Sequence, residues 1–346
     1  MSESARDRYG KTPLSARIIL DAVLLVFSFA SAFLLNLDPS ADRRFILELL
    51  EAVPGLVMLT AAAGTASFMA VSGCVADGAA AVILGSFIPL VFGGRPAGTL
   101  ITVGTAVLVA AVFRFSSASK NTERFFRLGF VSVITAAAIA GWTAYAVISR
   151  YGSVEKFVTV AADGISWVVN ETVAMMNSMY SLDLGAVDPR AYSYSVITEI
   201  PAFMTGAAVM CAWVSELIIR LLYRWVFRER DIFPRSRFTS IPASFAAVYL
   251  GTMAVNMIMT MIAPDGMNPV YIIVGCLFAA TVLPCALTGL RKLIQLAKHK
   301  RIFPIIALGV SLMIFGFSIA ASLAAVVGAA VAIKQRIGEN KARNDG

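Results

Sequence analysis

The chain has 346 residues, of which 58% are hydrophobic and 14% are charged, whereas soluble domains average about 45–50% apolar and about 25% charged residues. Its mean hydropathy is +0.79, and many apolar runs approach the roughly 20 residues that a helix needs to cross the bilayer core. These values exclude an ordinary soluble domain and predict an all-α, polytopic transmembrane helical bundle. The net charge of +8 is interpreted as membrane topology, not as a surface for nucleic acid.

Apolar runs predict about nine membrane spans, within a range of roughly eight to ten. Their predicted positions are residues 18–36, 52–73, 78–94, 98–113, 128–149, 200–223, 241–263, 268–290 and 303–332. We interpret the first run as an uncleaved membrane helix, because Asp21 interrupts it and further spans follow. The last run is either one long span or a tight hairpin, and the two alternatives place the carboxyl terminus on opposite sides.

A long stretch between the fifth and sixth spans divides the chain into three predicted segments. They are an amino-terminal five-span bundle at 1–149, an extracytoplasmic segment at 150–199, and a carboxyl-terminal membrane bundle with basic cytoplasmic loops at 200–346. Within the middle segment, apolar side chains recur at spacings of three and four from Phe157 to Met179, which predicts an amphipathic helix capped by Ser153. This helix either lies on the outer membrane face or the bundle, or covers a binding cavity as a lid.

Lys and Arg are concentrated in loops that all fall on one side of the membrane when the predicted spans are counted. These loops are residues 114–127, 224–237 and 291–301, and the segment before the first span is also basic. Because Lys and Arg in short loops resist translocation, this side is predicted to be cytoplasmic. The amino terminus is therefore expected in the cytoplasm.

The residues that usually carry metal or nucleophilic chemistry are scarce. The four cysteines, Cys74, Cys211, Cys276 and Cys285, lie in or beside apolar runs without a C-x-x-C spacing, and His299 is the only histidine. A multi-histidine metal centre is therefore excluded, a Ser-His-Asp triad is disfavoured, and no ATPase phosphate-binding loop is found. We expect no catalytic residue, no metal and no cofactor, so a membrane-embedded enzyme ranks third among the possible functions.

Polar groups within or beside the spans are the candidate functional residues, because ionisable groups in hydrocarbon are costly. The candidate substrate-binding residues are Glu199, Asn170, Asn256 and Asn268. Glu199, near the outer end of the sixth span, either meets a solute or faces water. Glu216 and Arg220 lie four residues apart on one helical face and are predicted to form a structural ion pair.

Prolines interrupt two spans, Pro89 the third and Pro284 the eighth. A proline in a membrane helix frees a backbone carbonyl. The freed carbonyl either coordinates a ligand or accepts a hydroxyl from a neighbouring Ser or Thr.

Small residues recur every four positions on three spans, a pattern that allows membrane helices to approach closely. The three ridges are Ala62, Ala66 and Ala70; Ala136, Ala140 and Ala144; and Gly316, Ala320, Ala324 and Gly328. The ridges serve either helix packing within the chain or docking of another membrane subunit.

Several motifs resemble those of the YybS-like family of uncharacterised bacterial membrane proteins, and the resemblance covers most of the chain. In the middle of the chain they are the outer amphipathic helix, the sequence Ser195-Val196-Ile197-Thr198-Glu199-Ile200-Pro201, the Arg-rich stretch from Arg220 to Arg230, and Ile241-Pro242. Nearer the two ends they are Ile88-Pro89-Leu90 through Arg95, and Val327-Gly328 followed by Lys334-Gln335-Arg336. Ala329 and Ala330 depart from the family pattern, in which an acidic residue is expected shortly after the glycine.

The resemblance implies a multi-pass protein of the bacterial cytoplasmic (inner) membrane, related in fold to substrate-binding subunits of energy-coupling-factor transporters. Such subunits hold a vitamin or similar solute in an outward-facing pocket and dock onto a transporter coupling subunit driven by ATPases. On this analogy, the outer helix is a lid, Glu199 and Asn170 contact the solute, and the small-residue ridges dock.

Two functions of different classes are therefore expected. The first is a small-solute-binding subunit of a membrane transport system. The alternative is a non-transporting envelope scaffold or assembly protein for division, wall synthesis or membrane organisation. In the alternative, the basic cytoplasmic loops bind anionic lipids or acidic envelope-assembly partners.

Overall fold

Many large apolar side chains lie on the surface of the protein, and several hydroxyl side chains are buried. In a computed structural model of the protein, Phe33, Leu100 and Met210 are exposed, whereas Ser28 and Ser67 are completely buried. Exposed aliphatic and aromatic side chains are stable against lipid, and hydroxyl groups inside are stable only where they are hydrogen-bonded. This distribution suits a protein whose solvent is hydrocarbon.

The structure describes residues 13–35, 45–93, 96–118, 124–180, 188–227, 241–262, 269–300 and 318–344. Within these ranges every regular element is an α-helix. The helices are α1 (Leu14–Leu34), α2 (Phe45–Val71), α3 (Val75–Val91), α4 (Pro96–Ala118), α5 (Arg124–Tyr151), α6 (Val154–Tyr180), α7 (Pro189–Phe227), α8 (Ala243–Ile262), α9 (Pro269–Lys300) and α10 (Ser318–Asn344). The predicted all-α class is thus confirmed for the described residues.

Six stretches within the described residues are long and apolar enough to cross a membrane. They are Leu14–Leu34, Val53–Val71, Pro96–Ser117, Phe126–Tyr151, Pro189–Phe227 and Val270–Leu290. Shorter apolar helices are Val75–Val91 and Ala243–Met259. The first part of the ninth predicted span, 303–332, lies outside the described residues and its second part lies in α10.

The first of two compact units comprises Met1–Ser193 and Ala207–Arg235. In it α1 packs against α2, α3 and α4, α4 also packs against α2, α3 and α5, and α6 packs against α5 and α2. The interior is formed by large buried side chains, which include Leu24, Phe68, Met69, Phe113 and Ile219.

Two tight connections in this unit depend on glycines with a left-handed backbone. Between α2 and α3, Gly73 has φ +89° and the Cys74 amide donates to the Met69 carbonyl at 2.9 Å. Between α5 and α6, Gly152 has φ +74°, and Ser153 Oγ accepts the Lys156 amide at 3.2 Å. The left-handed region is easily reached only by glycine, and the second contact is the predicted cap of α6.

Helix α7 begins at Pro189, well before the span predicted at 200–223, and continues through Pro201. Proline is tolerated there because neighbouring groups in membrane helices satisfy the backbone, and Thr205 Oγ1 donates to the Pro201 carbonyl at 2.8 Å. Residues Tyr194–Gly206 of this helix belong to the second unit, and its remaining residues belong to the first. In this division α6 and most of α7 group with the amino-terminal helices.

The second unit comprises Tyr194–Gly206 and Ser236–Gly346, and within it α8, α9 and α10 pack against one another. The backbones of α9 and α10 are in direct contact. A Cβ atom added to Gly289 would overlap the Ala324 carbonyl oxygen, and one added to Gly328 would overlap the Cys285 carbonyl oxygen. Glycine at both positions is therefore required for this helix pair.

Candidate functional site

A buried ionic cluster lies where α5 and α7 meet in the first unit. Glu216 is 1% exposed, Arg127 is 3% exposed and Arg220 is 17% exposed. Arg220 Nε donates to Glu216 Oε1 at 2.9 Å, and Arg127 Nη2 lies 3.5 Å from Glu216 Oε2. The ion pair predicted from the four-residue spacing is present, and Arg127 is a second partner that sequence reasoning missed.

Neighbouring helix ends position this cluster. The Arg127 guanidinium, near the start of α5, lies 5.9 Å from the ring centre of Phe113 on α4. Arg114, near the end of α4, donates from Nη1 to the Ala70 carbonyl at 2.6 Å. The last carbonyls of a helix have no helical donor and favour a cation nearby. Arg127 and Arg220 therefore contact Glu216, while Arg114 binds the end of α2.

This arrangement is suited to holding helices together and not to acid–base chemistry. Two guanidinium groups contact one carboxyl group, and through it they join α5 to α7. Within the described ranges, no group of three His, Cys, Asp or Glu side chains could hold a metal ion.

The predicted substrate-binding residues fall in different parts of the chain. Asn170 is exposed on α6 in the first unit. Glu199 is exposed on the α7 segment of the second unit, and Asn256 on α8 is half-buried in that unit. Asn268 lies outside the described residues.

Helix α6 is packed over its first part and exposed over its second. Phe157 and Ala161 on the predicted apolar face are buried, whereas Met175 and Met179 on the same face are exposed. The second part of the helix thus presents apolar side chains that the described residues do not cover.

A hydroxyl contact joins the middle of α6 to the start of α7. Ser166 Oγ lies 2.8 Å from Ser193 Oγ and donates to the Pro189 carbonyl at 3.2 Å. Beyond Ser166, α6 continues to Tyr180, a length of about 20 Å at a rise of about 1.5 Å per residue. This projecting part carries Asn170.

An apolar groove of about 500 Å³ runs between α4 and α5. Its lining includes the small residues Gly104, Ala137 and Gly141, together with Leu100 and Tyr145. A Cβ atom added to either glycine would meet no other atom within 4 Å. The groove is within the size range of small-ligand sites and offers mainly apolar contacts.

The three small-residue ridges have different environments. Ala62, Ala66 and Ala70 are buried in the first unit, and Ala324 and Gly328 are buried in the second. Gly316 and the side chain of Ala320 lie outside what the structure describes. On α5 the ridge has the opposite environment, since Ala136 is half-buried and Ala140 and Ala144 are exposed.

No family model, curated protein or solved structure matches the chain.

Proposed function

We propose that the protein is a small-solute-binding subunit of a membrane transport system. The observation that carries the proposal is the half-packed helix α6. Its first part is fixed to the bundle through Phe157 and Ala161, and its second part projects past the Ser166–Ser193 contact with Asn170 on an exposed edge. A helix held at one end can close over a bound solute, as lids of other binding sites do.

The exposed ridge on α5 supports a partner subunit. Membrane helices associate through small residues that allow close backbone approach, and Ala140 and Ala144 are exposed beside the groove between α4 and α5. The coupling subunit is proposed to dock on this ridge, since the other described ridges are buried within the chain.

The proposed location is the bacterial inner membrane, with the amino terminus in the cytoplasm. Arg114, Arg127, Arg220 and Arg224 lie at the ends of α4, α5 and α7, which supports a cytoplasmic assignment of these ends. The same arginines favour the second candidate function, an envelope scaffold. Arg114 and Arg224 are exposed and can contact anionic lipid or an acidic partner.

The test is purification from the native host membrane in mild detergent, followed by mass spectrometry of the accompanying proteins and small molecules. A retained solute, with a coupling subunit and ATPases, is expected. Asn170→Ala and Glu199→Ala should each reduce solute retention about tenfold, the effect of losing one good polar contact. Glu171→Ala is the matched control, because Glu171 is exposed next to Asn170.

Retention equal to wild type in a variant would remove that residue from the solute-binding role. Recovery of envelope-assembly proteins or anionic lipids alone, without solute, would contradict the transport function and favour the scaffold.

A further inference from the structure

Five buried hydroxyl side chains meet inside the first unit, where α1, α3 and α4 pack against one another. They are Ser28 and Ser31 on α1, Ser86 on α3, and Thr99 and Thr102 on α4, and all five are buried. We call this set the hydroxyl layer.

Three contacts fix the register of these helices. Ser31 Oγ lies 3.0 Å from Thr102 Oγ1, and Thr99 Oγ1 donates to the Ser86 carbonyl at 2.8 Å. A Cβ atom added to Gly85 would lie 3.1 Å from Ser28 Cβ. Ser28 and Ser86 are therefore at the same depth, on helices that touch through Gly85.

Two hydroxyls of the layer are unsatisfied. Ser28 Oγ and Ser86 Oγ are buried without a hydrogen-bond partner among the described residues. Two other buried hydroxyls of the first unit bond to their own helix: Thr65 Oγ1 donates to the Ala61 carbonyl at 2.8 Å and Ser67 Oγ to the Ala63 carbonyl at 2.6 Å. Thr105 Oγ1 on α4, outside the layer, also lacks a partner in the described part of the chain. A buried polar atom that is left unsatisfied points to an occupant such as a water molecule or an ion.

A backbone carbonyl is added to the layer by Pro89. Proline has no N–H group, so the Gly85 carbonyl, four residues earlier in α3, lacks the donor that residue 89 would normally supply. The layer therefore gathers neutral oxygen atoms from hydroxyl groups and from a proline-containing helix. Some transporters coordinate Na⁺ with backbone carbonyls at breaks and ends of membrane helices; α3 is continuous through Pro89, and here the hydroxyl oxygen atoms would supply the other neutral ligands.

The surrounding charge favours a cation over an anion. Asp21 lies seven residues before Ser28 on α1, hence on the same helical face, and it interacts electrostatically with Asp77 and Arg17. Asp21 Oδ1 is itself buried without a hydrogen-bond partner in the described part of the chain. The two carboxyl groups outnumber the one guanidinium around this part of α1, about 10 Å along the helix from Ser28, so this part of the helix favours an approaching cation over an anion.

We propose that the hydroxyl layer between α1, α3 and α4 binds Na⁺ through Ser28 Oγ, Ser86 Oγ and the Gly85 carbonyl oxygen. This site goes beyond the proposed solute-binding function. Its test needs no transported solute, so the two proposals can fail separately.

The experiment measures saturable binding of ²²Na⁺ to the purified full-length protein in detergent, with choline chloride holding the ionic strength constant. Wild type is expected to bind one ion per chain, and Na⁺ is expected to raise the unfolding temperature relative to choline. Ser28→Ala and Ser86→Ala should each weaken binding about tenfold or more. Ser67→Ala is the matched control, because Ser67 is equally buried but bonds to its own helix.

Absence of saturable ²²Na⁺ binding to wild type would overturn the proposal, and this measurement does not depend on the variants folding. Unchanged affinity in both Ser28→Ala and Ser86→Ala would also overturn it. If both variants were more stable than wild type in Na⁺ and choline alike, the layer would hold no ion, since removing an unsatisfied hydroxyl is itself stabilising.

Discussion

Replacing Glu216 by Gln tests the central role of the buried carboxylate in the first unit. Glu216→Gln keeps the size of the side chain and removes its charge, so Arg127 and Arg220 lose their common anion. The two arginines differ in exposure, since Arg127 is 3% exposed and Arg220 is 17% exposed. The guanidinium of Arg127 therefore has little access to water or headgroups, whereas Arg220 can extend towards the surface.

The expected loss follows from this difference. Removing one partner of a buried ion pair typically costs about 3–5 kcal/mol, and Glu216 is a partner of the buried Arg127. We expect Glu216→Gln to fall in this range. Arg220→Met should cost about 1 kcal/mol, because a partly exposed pair is screened and because Arg127 still compensates Glu216.

The free energy of unfolding would be measured by titrating the purified protein from mild detergent into SDS micelles. The double variant Arg127→Met/Glu216→Gln should recover part of the stability lost in Glu216→Gln, since it also removes the buried charge of Arg127. Two results would contradict a role of this cluster in holding α5 to α7. One is an equal loss of stability in Glu216→Gln and Arg220→Met, and the other is a double variant no more stable than Glu216→Gln.

Two further predictions concern packing. Gly289→Ala should lower the unfolding temperature sharply, because the added methyl group would overlap the α10 backbone. Gly251→Ala is the control and should change the unfolding temperature little, because a Cβ atom added there would meet no other atom within 4 Å; equal effects of the two variants would refute the backbone contact. Trp142→Phe should lower the free energy of unfolding by about 1 kcal/mol, since it removes the hydrogen bond that Trp142 Nε1 donates to the Leu35 carbonyl at 3.0 Å. Denaturant titration measures this loss against the control Trp225→Phe, which changes an exposed side chain; equal stability of the two variants would show that the bond is unimportant.

Much of the helical organisation could be predicted because it depends on local pattern. Apolar runs gave the approximate positions of α1 to α5, and the spacing from Phe157 onwards gave α6 together with its Ser153 cap. The start of α7 at Pro189 was not predicted, since its first residues include polar side chains that interrupt the apolar run. Ser193 is buried there by its contact with Ser166 on α6, and such a contact has no signal in the sequence.

The polar sites are harder to predict from the sequence, because they too depend on contacts between helices. Arg127 lies one position before the predicted fifth span, so its charge was interpreted as topology, although its guanidinium reaches Glu216. Ser28 and Ser86 were not singled out, because serine in a membrane helix ordinarily bonds to its own backbone. Only the packing of three helices distinguishes these two hydroxyls from Ser67.

The contact between Gly289 and Gly328 also restricts how the second unit can assemble. Membrane helices can insert separately and then associate side by side, and α10 is synthesised after α9. Because the two backbones touch, sliding α10 by one residue would bring a side chain against a carbonyl group, so incorrect registers are rejected by steric overlap. The docking of α10 onto α9 therefore selects one register, and a truncation before Gly328 would remove the close backbone contact that Gly328 makes with Cys285 and Gly289 on α9.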